Sequence, residues 1–358
     1  MKPSTSPIAS LSADGLGCRA LARWCSVFTG LRSVIASPLP PAGGRTHGRH
    51  NSGECNLEPI ASRALVTGAT GFVGGRLARA LVRSGTEVRC LVRDPARAAE
   101  LRVAGCDIRR GDVTDAASLD GAGGEIDVAY FLIHAMAGGE GFEERERAGA
   151  LNFARMAKRE GVRRIVYLGG LGDEAVSRHL ASRHETARVL ATEGPPLTYF
   201  RAAMVVGAES ESYRTLRYLV KRLPVMIAPA WLKTATQPIG VEDVIEYLRR
   251  APEVPESEGR EVQIGGPDVL SYGAMLDRMA LVMGLRPRPK LPMPFITPWL
   301  SALWLGLVTP VDTNVARPLV EGLTTATIVT DRSGAEAFGI EPAPFDETLR
   351  RALAEEAR

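Results

Sequence analysis

Three glycines at intervals of three residues mark the stretch of the chain whose chemistry is most specific. Gly68, Gly71 and Gly74 follow the short apolar run 64–66 and precede apolar residues that recur at helical spacing. A buried strand, a glycine turn and a helix in this order favour dinucleotide binding, because unpaired amides and the helix dipole hold phosphate. We expect the first glycine to permit a tight turn, the second to admit the pyrophosphate, and the third to let helix and strand pack closely. The other loop residues expected to contact the cofactor are Thr70, Phe72 and Val73.

The residues after the second predicted strand bear on the choice of cofactor. The strand 87–92 is followed by Arg93 and Asp94, and Arg97 comes shortly afterwards. An acid in this region binds the ribose 2′-hydroxyl of NAD(H), whereas an arginine accommodates the 2′-phosphate of NADP(H). We favour NADP(H), with Arg93 as the contact and Arg97 as reinforcement. In the alternative interpretation Arg93 is a solvated charge and Asp94 caps the next helix.

A histidine follows the fourth predicted strand, 127–133. In an open α/β sheet, ligands bind beyond the carboxyl ends of the strands. We therefore expect Ile133 and His134 to lie beside the nicotinamide half of a bound cofactor. His134 titrates in the physiological range and so can exchange a proton. A hydrogen-bonded residue that only lines the cleft is the alternative.

The run TGATGFVGG, starting at Thr67, fits the pattern T-G-x-x-G-x-x-G and resembles the extended and atypical short-chain dehydrogenase/reductases. The resemblance extends over about residues 62–355. Within the family, the chain looks most similar to the atypical NAD(P)H-binding proteins near the nucleotide-binding accessory subunit of respiratory complex I. The segment Gly111-Asp112-Val113 also recurs in the family. There, the resemblance implies, the Asp112 carboxylate and the Val113 amide contact the adenine edge. Asp115 is expected to be a helix N-cap.

The chain departs from the family pattern where catalysis is expected. Active members carry Ser or Thr at the end of strand five and Tyr-x-x-x-Lys on the next helix, whereas this sequence has Gly169 and Gly170 at the strand end. Aligning residues 182–185 with the family's S-K-x-E places His179 at the tyrosine position and Arg183 at the lysine position. His179 then acts as acid or base, or is an ordinary polar helix residue. Arg183 holds the nicotinamide ribose but cannot tune a proton donor as lysine does.

The elements that must position these residues alternate between strand and helix patterns. Further strands are expected at 106–110, 164–168, 197–201 and 261–264, and helices at about 143–160 and near the C-terminus, with a break at Glu341-Pro342. We predict an α/β fold, a doubly wound parallel sheet (Rossmann fold) with a small C-terminal cap. Residues 61–250 form the NAD(P)-binding Rossmann domain, and residues 251–358 form a substrate or cap region interleaved with it.

Composition narrows the class of protein. The 358 residues carry a net charge of +3, and this near-balance does not suggest a nucleic-acid binder. The five cysteines show no C-x-x-C and no metal spacing, which favours a reducing compartment, the cytoplasm. Cys90 and Cys106 are expected in core strands. Residues 1–60 are rich in Arg, Ser, Pro and Gly and poor in acids, as in a disordered extension, an organelle-targeting segment or a start assigned too far upstream.

Two stretches outside the nucleotide-binding half are candidates for peripheral membrane contact. Residues 213–223 read as a basic amphipathic helix, whose simpler interpretation is a surface helix with a solvated basic face. Residues 291–311 contain no charge, but their prolines leave too few helical positions to span a bilayer. They are expected to form core or a dimer interface, the wall of an apolar pocket, or an edge on a membrane.

Two functions follow from these observations. The first is an NADP(H)-dependent oxidoreductase acting on a hydrophobic carbonyl, enone or quinone-like small molecule, with His179, Arg183 and His134 as the catalytic candidates. The second is a non-catalytic NAD(P)H-binding module, structural or redox-sensing, that docks a partner protein or a membrane surface. A homodimer is the default assembly.

Overall fold

The computed structural model describes residues 63–133, 141–172, 178–293 and 323–358. The strands in these ranges are β1 Arg63–Thr67, β2 Glu87–Val92, β3 Asp107–Arg110, β4 Val128–Phe131, β5 Arg164–Gly170, β6 Leu197–Ala202, β7 Val205–Val206, β8 Met226–Ala228, β9 Ala235–Thr236, β10 Ile239–Gly240, β11 Glu261–Ile264, β12 Leu270–Ser271 and β13 Lys290–Pro292. The helices are α1 Phe72–Arg83, α2 Ala99–Val103, α3 Phe142–Arg159, α4 Arg178–Glu193, α5 Glu211–Arg222, α6 Val241–Arg250, α7 Tyr272–Val282, α8 Ser333–Glu336 and α9 Phe345–Glu356.

A seven-stranded parallel sheet forms the centre of the described part of the chain. Its order is β3-β2-β1-β4-β5-β6-β11, so the chain reverses direction across the sheet between β1 and β4. Nucleotides bind at such a switch point, beyond the carboxyl ends of the strands. Central strands are buried on both faces, and in β1 Ala64, Leu65, Val66 and Thr67 have no exposed surface. Such apolar runs suit a parallel sheet that helices cover on both sides.

Two hydrophobic clusters show that the sheet is doubly wound. On one face, Leu77 of α1 and Leu248 of α6 pack with Val66. On the other face, Phe153 of α3 and Leu190 of α4 pack with strand residues that point the opposite way. The predicted α/β Rossmann fold is therefore confirmed.

A third cluster holds the smaller region beside the sheet. It joins α5, α7 and α9 with the segment around Trp231, and Tyr213, Met275 and Leu349 are fully buried in it. Outside the large sheet, the short strands form three separate pairs, β7–β10, β8–β13 and β9–β12. The apolar face of the 213–223 helix thus lies in a protein core, so only its basic face remains for any membrane contact. None of the helices in the described ranges has the length and apolar character needed to cross a bilayer.

Most predicted elements lie close to where the sequence places them, but β5 extends two residues further, to Gly170, and β4 and β3 are shorter than predicted. Strand β4 ends at Phe131 and does not reach residue 133, because the Leu132 amide leaves the ladder and donates to Thr67 Oγ1 at 3.2 Å. Strand β3 begins at Asp107, because the Cys106 amide bonds the Leu101 carbonyl at the end of α2. Cys90 is buried in β2, as predicted, whereas Cys106 is buried but lies just before β3 and not in a strand. His134 and residues 294–311 of the uncharged stretch lie outside the described residues.

Candidate nucleotide-binding and active site

The glycine loop has the geometry that its spacing predicts. Gly68 adopts φ +66°, and a Cβ at this position would overlap the carbonyl of Leu132, the residue directly after β4. A Cβ on Gly74 would overlap the Gly68 carbonyl, so this third glycine lets α1 approach the turn. The Gly71 amide donates to the Gly68 carbonyl at 2.9 Å and closes the turn. Gly71 is also the N-cap of α1, with no side-chain cap and no acid in the first helical turn. These amides and the dipole of α1 therefore suit a phosphate.

A cavity of about 910 Å³ runs from this loop across the carboxyl ends of the central strands. It brings together all the predicted site residues that the structure describes. They are Gly68, Thr70, Gly71, Phe72, Val73, Gly74, Arg93, Asp112, Val113, Ile133, His179 and Arg183. His134, predicted both as a cofactor contact and as a catalytic group, lies outside the described residues.

The arginines after β2 and the acid beside them play different structural roles. Arg93 and Arg97 line the cavity and are exposed, and no ion pair of either occurs within the described ranges. The Asp94 side chain accepts a 3.0 Å hydrogen bond from the Ala96 amide and caps the 3₁₀ turn Pro95–Ala98. Asp94 is not among the cavity-lining residues. The capping alternative is therefore confirmed for Asp94. The charged side chains that line the cavity just after β2 are the two cations, Arg93 and Arg97.

The Gly111-Asp112-Val113 segment forms a rigid wall of the cavity. Asp112 Oδ1 accepts hydrogen bonds from the Thr114 amide at 3.0 Å and the Thr114 hydroxyl at 2.8 Å. Val113 packs so closely on α3 that a Cβ on Gly149 would lie 2.8 Å from Val113 Cγ2. Asp115 caps the next turn by accepting from the Ala117 amide at 3.2 Å, as predicted. The contact of Asp112 with adenine stays a prediction.

At the other end of the cavity, α4 supplies His179 and Arg183. The His179 ring stacks on Phe142 of α3 with the ring centroids 4.5 Å apart and the planes 15° apart. A Cβ on Gly170 would lie 3.3 Å from Arg183 Nη1 and 2.7 Å from the Leu180 side chain. The two predicted catalytic side chains therefore share one cavity wall, next to the end of β5.

A tyrosine ring lies against Gly169, near the end of β5, where the family pattern has a hydroxyl side chain. A Cβ on Gly169 would lie 2.6 Å from the Tyr199 ring and 2.8 Å from its hydroxyl oxygen. Tyr199 stacks on Tyr167, with ring centroids 5.3 Å apart, and its hydroxyl lies 3.3 Å from His184 Nδ1. His184 Nε2 in turn lies 3.1 Å from the Gly172 carbonyl oxygen. The Tyr199 ring therefore fills the space that a serine side chain at position 169 would need.

Tyr167 is a site residue that the sequence interpretation missed. It lines the cavity from β5 and donates to the Arg183 carbonyl at 3.4 Å. Burial raises its pKa above the ordinary value for tyrosine, and the nearby Arg183 guanidinium opposes that shift in part. A neutral, proton-carrying hydroxyl is thus held at the cavity. The signal that would have identified it was its place on β5, a central strand whose carboxyl end borders the cavity.

The remaining wall is partly apolar and comes from distant parts of the chain. Its apolar members include Leu171, Leu180, Met204, Tyr272 and Leu323, which the sequence interpretation also missed.

An ion pair joins α1 to α9 just behind the glycine loop. Arg76 of α1 lies over the Phe72 ring, 4.6 Å from its centroid, and pairs with Glu209 and with Glu355 of α9. Arg76 therefore links the ring of Phe72, which lines the cavity, to acidic side chains of the smaller region.

Comparison with known proteins agrees with this geometry. Residues 68–217 match the model of a protein family described as NAD(P)H-binding. The whole fold is similar to the triphenylmethane reductase of Citrobacter sp., at 18% identity and a TM-score of 0.67, covering 82% of this chain and 99% of that one. It is also similar to an NADPH-dependent quinone oxidoreductase of Escherichia coli complexed with NADPH, at 19% identity and a TM-score of 0.66 (80% of this chain, 98% of that chain). A UDP-glucose 4-epimerase of Thermotoga maritima matches at 15% identity and a TM-score of 0.64 (83% and 98%).

These matches confirm the expected fold. Residues 68–217 match an NAD(P)H-binding family, and the whole fold is similar to those of NAD(P)-dependent reductases and a sugar epimerase. The closer similarity to the complex I accessory subunit stays a prediction.

Proposed function

We propose that this chain, built on an NAD(P)H-binding Rossmann domain, is an NADP(H)-dependent oxidoreductase for a hydrophobic carbonyl, enone or quinone-like small molecule. One observation carries the proposal. A single cavity of about 910 Å³ joins the phosphate-binding loop to a wall of apolar side chains. This volume falls within the range of small-molecule sites, which are mostly apolar with a few placed polar groups.

The residues present fit a dinucleotide. Side-chain-free Gly68, Gly71 and Gly74 leave room at the loop, and the uncapped N-terminus of α1 offers amides to the pyrophosphate. Arg93 and Arg97 supply two cations for a 2′-phosphate, which supports NADP(H) over NAD(H). When bound, the cofactor supplies hydride chemistry, and the protein contributes orientation and the exclusion of water.

The apolar part of the wall supports the substrate class. Leu171, Leu180 and Leu323 offer no hydrogen bonds to a polar substrate, so burial of apolar surface would dominate its binding. Two of the similar folds are named for reduction of a triphenylmethane dye and for quinone oxidoreduction. These names agree in chemistry with such a pocket.

Proton delivery falls to residues other than the family's Tyr-Lys pair. His179 is held by stacking on Phe142. Tyr167 is protonated at the cavity, but the burial that raises its pKa also makes it a weaker acid than an ordinary tyrosine. Arg183 adds a fixed positive charge on the same wall. In this proposal His179 or Tyr167 donates the proton to the substrate oxygen, directly or through water. His134 stays an alternative donor from the sequence.

The test combines cofactor identification with turnover. Small molecules released from the gently purified chain are identified by mass spectrometry, and NADPH oxidation is then measured against a panel of carbonyls, enones and quinones. We expect NADP(H) to be found and one apolar acceptor class to be reduced. The variants His179→Gln and Tyr167→Phe then separate the two donors by their pH–rate profiles. If bound, saturating NADPH is oxidised by no panel member, the oxidoreductase proposal fails.

A specific observation also favours the second function, an NAD(P)H-binding module without catalysis. The Tyr199 ring fills the space next to Gly169, so the family's strand-end hydroxyl is excluded sterically as well as by sequence. In this case nucleotide raises the stability of the protein, and the protein is recovered in a membrane or complex fraction. Rapid turnover of any soluble substrate would exclude it. For either function we propose a cytoplasmic location and a homodimer.

A further inference from the structure

The smaller region has one edge that combines exposed apolar side chains with unopposed positive charge. This basic apolar edge comprises residues 220–229 and 281–293. The pairing of β8 with β13 sets Met226 beside Lys290, and the Met293 amide donates to the Ala228 carbonyl at 3.0 Å. Arg288 Nε donates to the Val220 carbonyl at 3.0 Å. The two segments therefore form one continuous surface.

Exposed large hydrophobic side chains concentrate on this edge. Val225 is 50% exposed, Leu291 56% and Met293 40%. Leu281, which begins the second segment in the last turn of α7, is 61% exposed. In the described part of the chain, only Val103 and Val269 are comparably exposed elsewhere. The apolar face of α5 is buried beneath the edge, so the edge and not that helix face meets solvent.

The charges on the edge all have one sign. Its ionisable side chains are Lys221, Arg222, Arg286, Arg288 and Lys290, with no acid in either segment. Lys290 is neutralised by Asp277 of α7. No ion pair of the other four occurs within the described ranges. Lys221, Arg222 and Arg286 are exposed and so can meet an external anion, whereas Arg288 is half-buried against the Val220 carbonyl.

This combination fits an anionic lipid surface better than a protein. Protein interfaces typically bury about 800 Å² per partner and are depleted in lysine, whereas this edge offers four scattered apolar side chains among cations. Peripheral membrane binding needs apolar groups to enter the headgroup region and cations to meet anionic lipids. Both are present here at one surface.

We propose that the basic apolar edge binds the surface of membranes containing anionic phospholipid. Leu291, Met293 and Val225 enter the headgroup region, and Arg222 and Arg286 contact the lipid phosphates. This contact is independent of the oxidoreductase proposal, because no residue of the edge lines the nucleotide cavity.

The test is flotation of the full chain with vesicles of phosphatidylcholine alone or mixed with phosphatidylserine. We expect binding to the mixed vesicles that weakens as salt rises, because surface charges are screened. Each Arg→Gln change at such a surface removes about fivefold in affinity, so Arg222→Gln with Arg286→Gln weakens binding roughly 25-fold. The pair Leu291→Ser and Met293→Ser weakens binding to the same vesicles at high salt as well as at low salt.

The matched control lies on α2, where Arg102→Gln with Val103→Ser removes one cation and an apolar side chain that is 90% exposed. This control leaves vesicle binding unchanged. Thermal unfolding and NADPH affinity of each variant show that fold and nucleotide site are intact. Absence of wild-type flotation, or equal loss in the control, overturns the proposal. It is also overturned if edge variants change the sedimenting mass and not vesicle binding, since the edge is then an interface between copies of the chain.

Discussion

Restoring the family's strand-end hydroxyl by Gly169→Ser is expected to destabilise the protein. The new Cβ would lie 2.6 Å from the Tyr199 ring and 2.8 Å from its hydroxyl oxygen. Tyr199 cannot swing aside freely, because it stacks on Tyr167 and its hydroxyl contacts His184. Overpacking of a well-filled core costs about 1–3 kcal/mol in the free energy of unfolding. For a chain of this size we expect Tm to fall by several degrees.

Urea unfolding of a double-mutant cycle tests the steric reasoning. Gly124→Ser is the matched control, because a Cβ there meets only the Gly121 carbonyl, at an ordinary 3.7 Å. Tyr199→Ala removes the obstructing ring at its own cost, and Gly169→Ser should add little in that background. The coupling free energy should therefore be about 1–3 kcal/mol in the compensating sense. The reasoning is refuted if Gly169→Ser is tolerated as well as Gly124→Ser, or if its cost is the same with and without the Tyr199 ring.

Three further predictions concern the nucleotide loop, the cofactor and alkaline pH. Gly74→Ala places a Cβ against the Gly68 carbonyl, so isothermal titration should show loss of most NADPH affinity, and unchanged affinity would contradict the close packing. Arg93→Gln should weaken NADPH about 10- to 100-fold with little effect on NADH, since a hydrogen bond to a charged group contributes about 1.5–3 kcal/mol. Asp94→Ala is its control, costing about 1 kcal/mol of stability through the lost cap and leaving the NADPH/NADH ratio unchanged. Burial raises the pKa of Tyr167 in the folded state, so its contribution to stability is complete below about pH 10 and is lost as pH rises further. Urea unfolding from pH 9 to 11 should therefore show a smaller alkaline loss for Tyr167→Phe, and an identical loss would exclude a buried neutral hydroxyl.

The geometry of the glycine loop and the position of Arg93 at the cavity were predictable because their determinants are local. Gly68 and Gly74 act through backbone geometry within one strand–turn–helix unit, and Arg93 follows directly from the end of a strand. Asp94 shows the limit of this approach. The sequence leaves ribose binding and helix capping open, and it is the hydrogen bond from the Ala96 amide that shows the cap.

The substrate half was less predictable because it is assembled from side chains distant in sequence. Tyr199 on β6 fills the space beside Gly169 on β5, and no local pattern reports that contact. Leu323 and Tyr272 reach the cavity from the smaller region. The helix 213–223 had the composition of a membrane-surface helix, but α7 and α9 pack on its apolar face. Amphipathic periodicity shows that a face must be buried and does not show against what.

The ion pair between Arg76 and Glu355 has a consequence for how the protein is made. Its two residues are 279 positions apart, so the helix behind the phosphate loop gains this partner only when the last helix has been synthesised. The sheet also awaits β11, and the third hydrophobic cluster awaits α9. Contacts of such long sequence separation form slowly, because closing long loops is entropically costly. We therefore expect ribosome-bound chains that end before α9 to expose the apolar surfaces of α5 and α7 and to be substrates for chaperones.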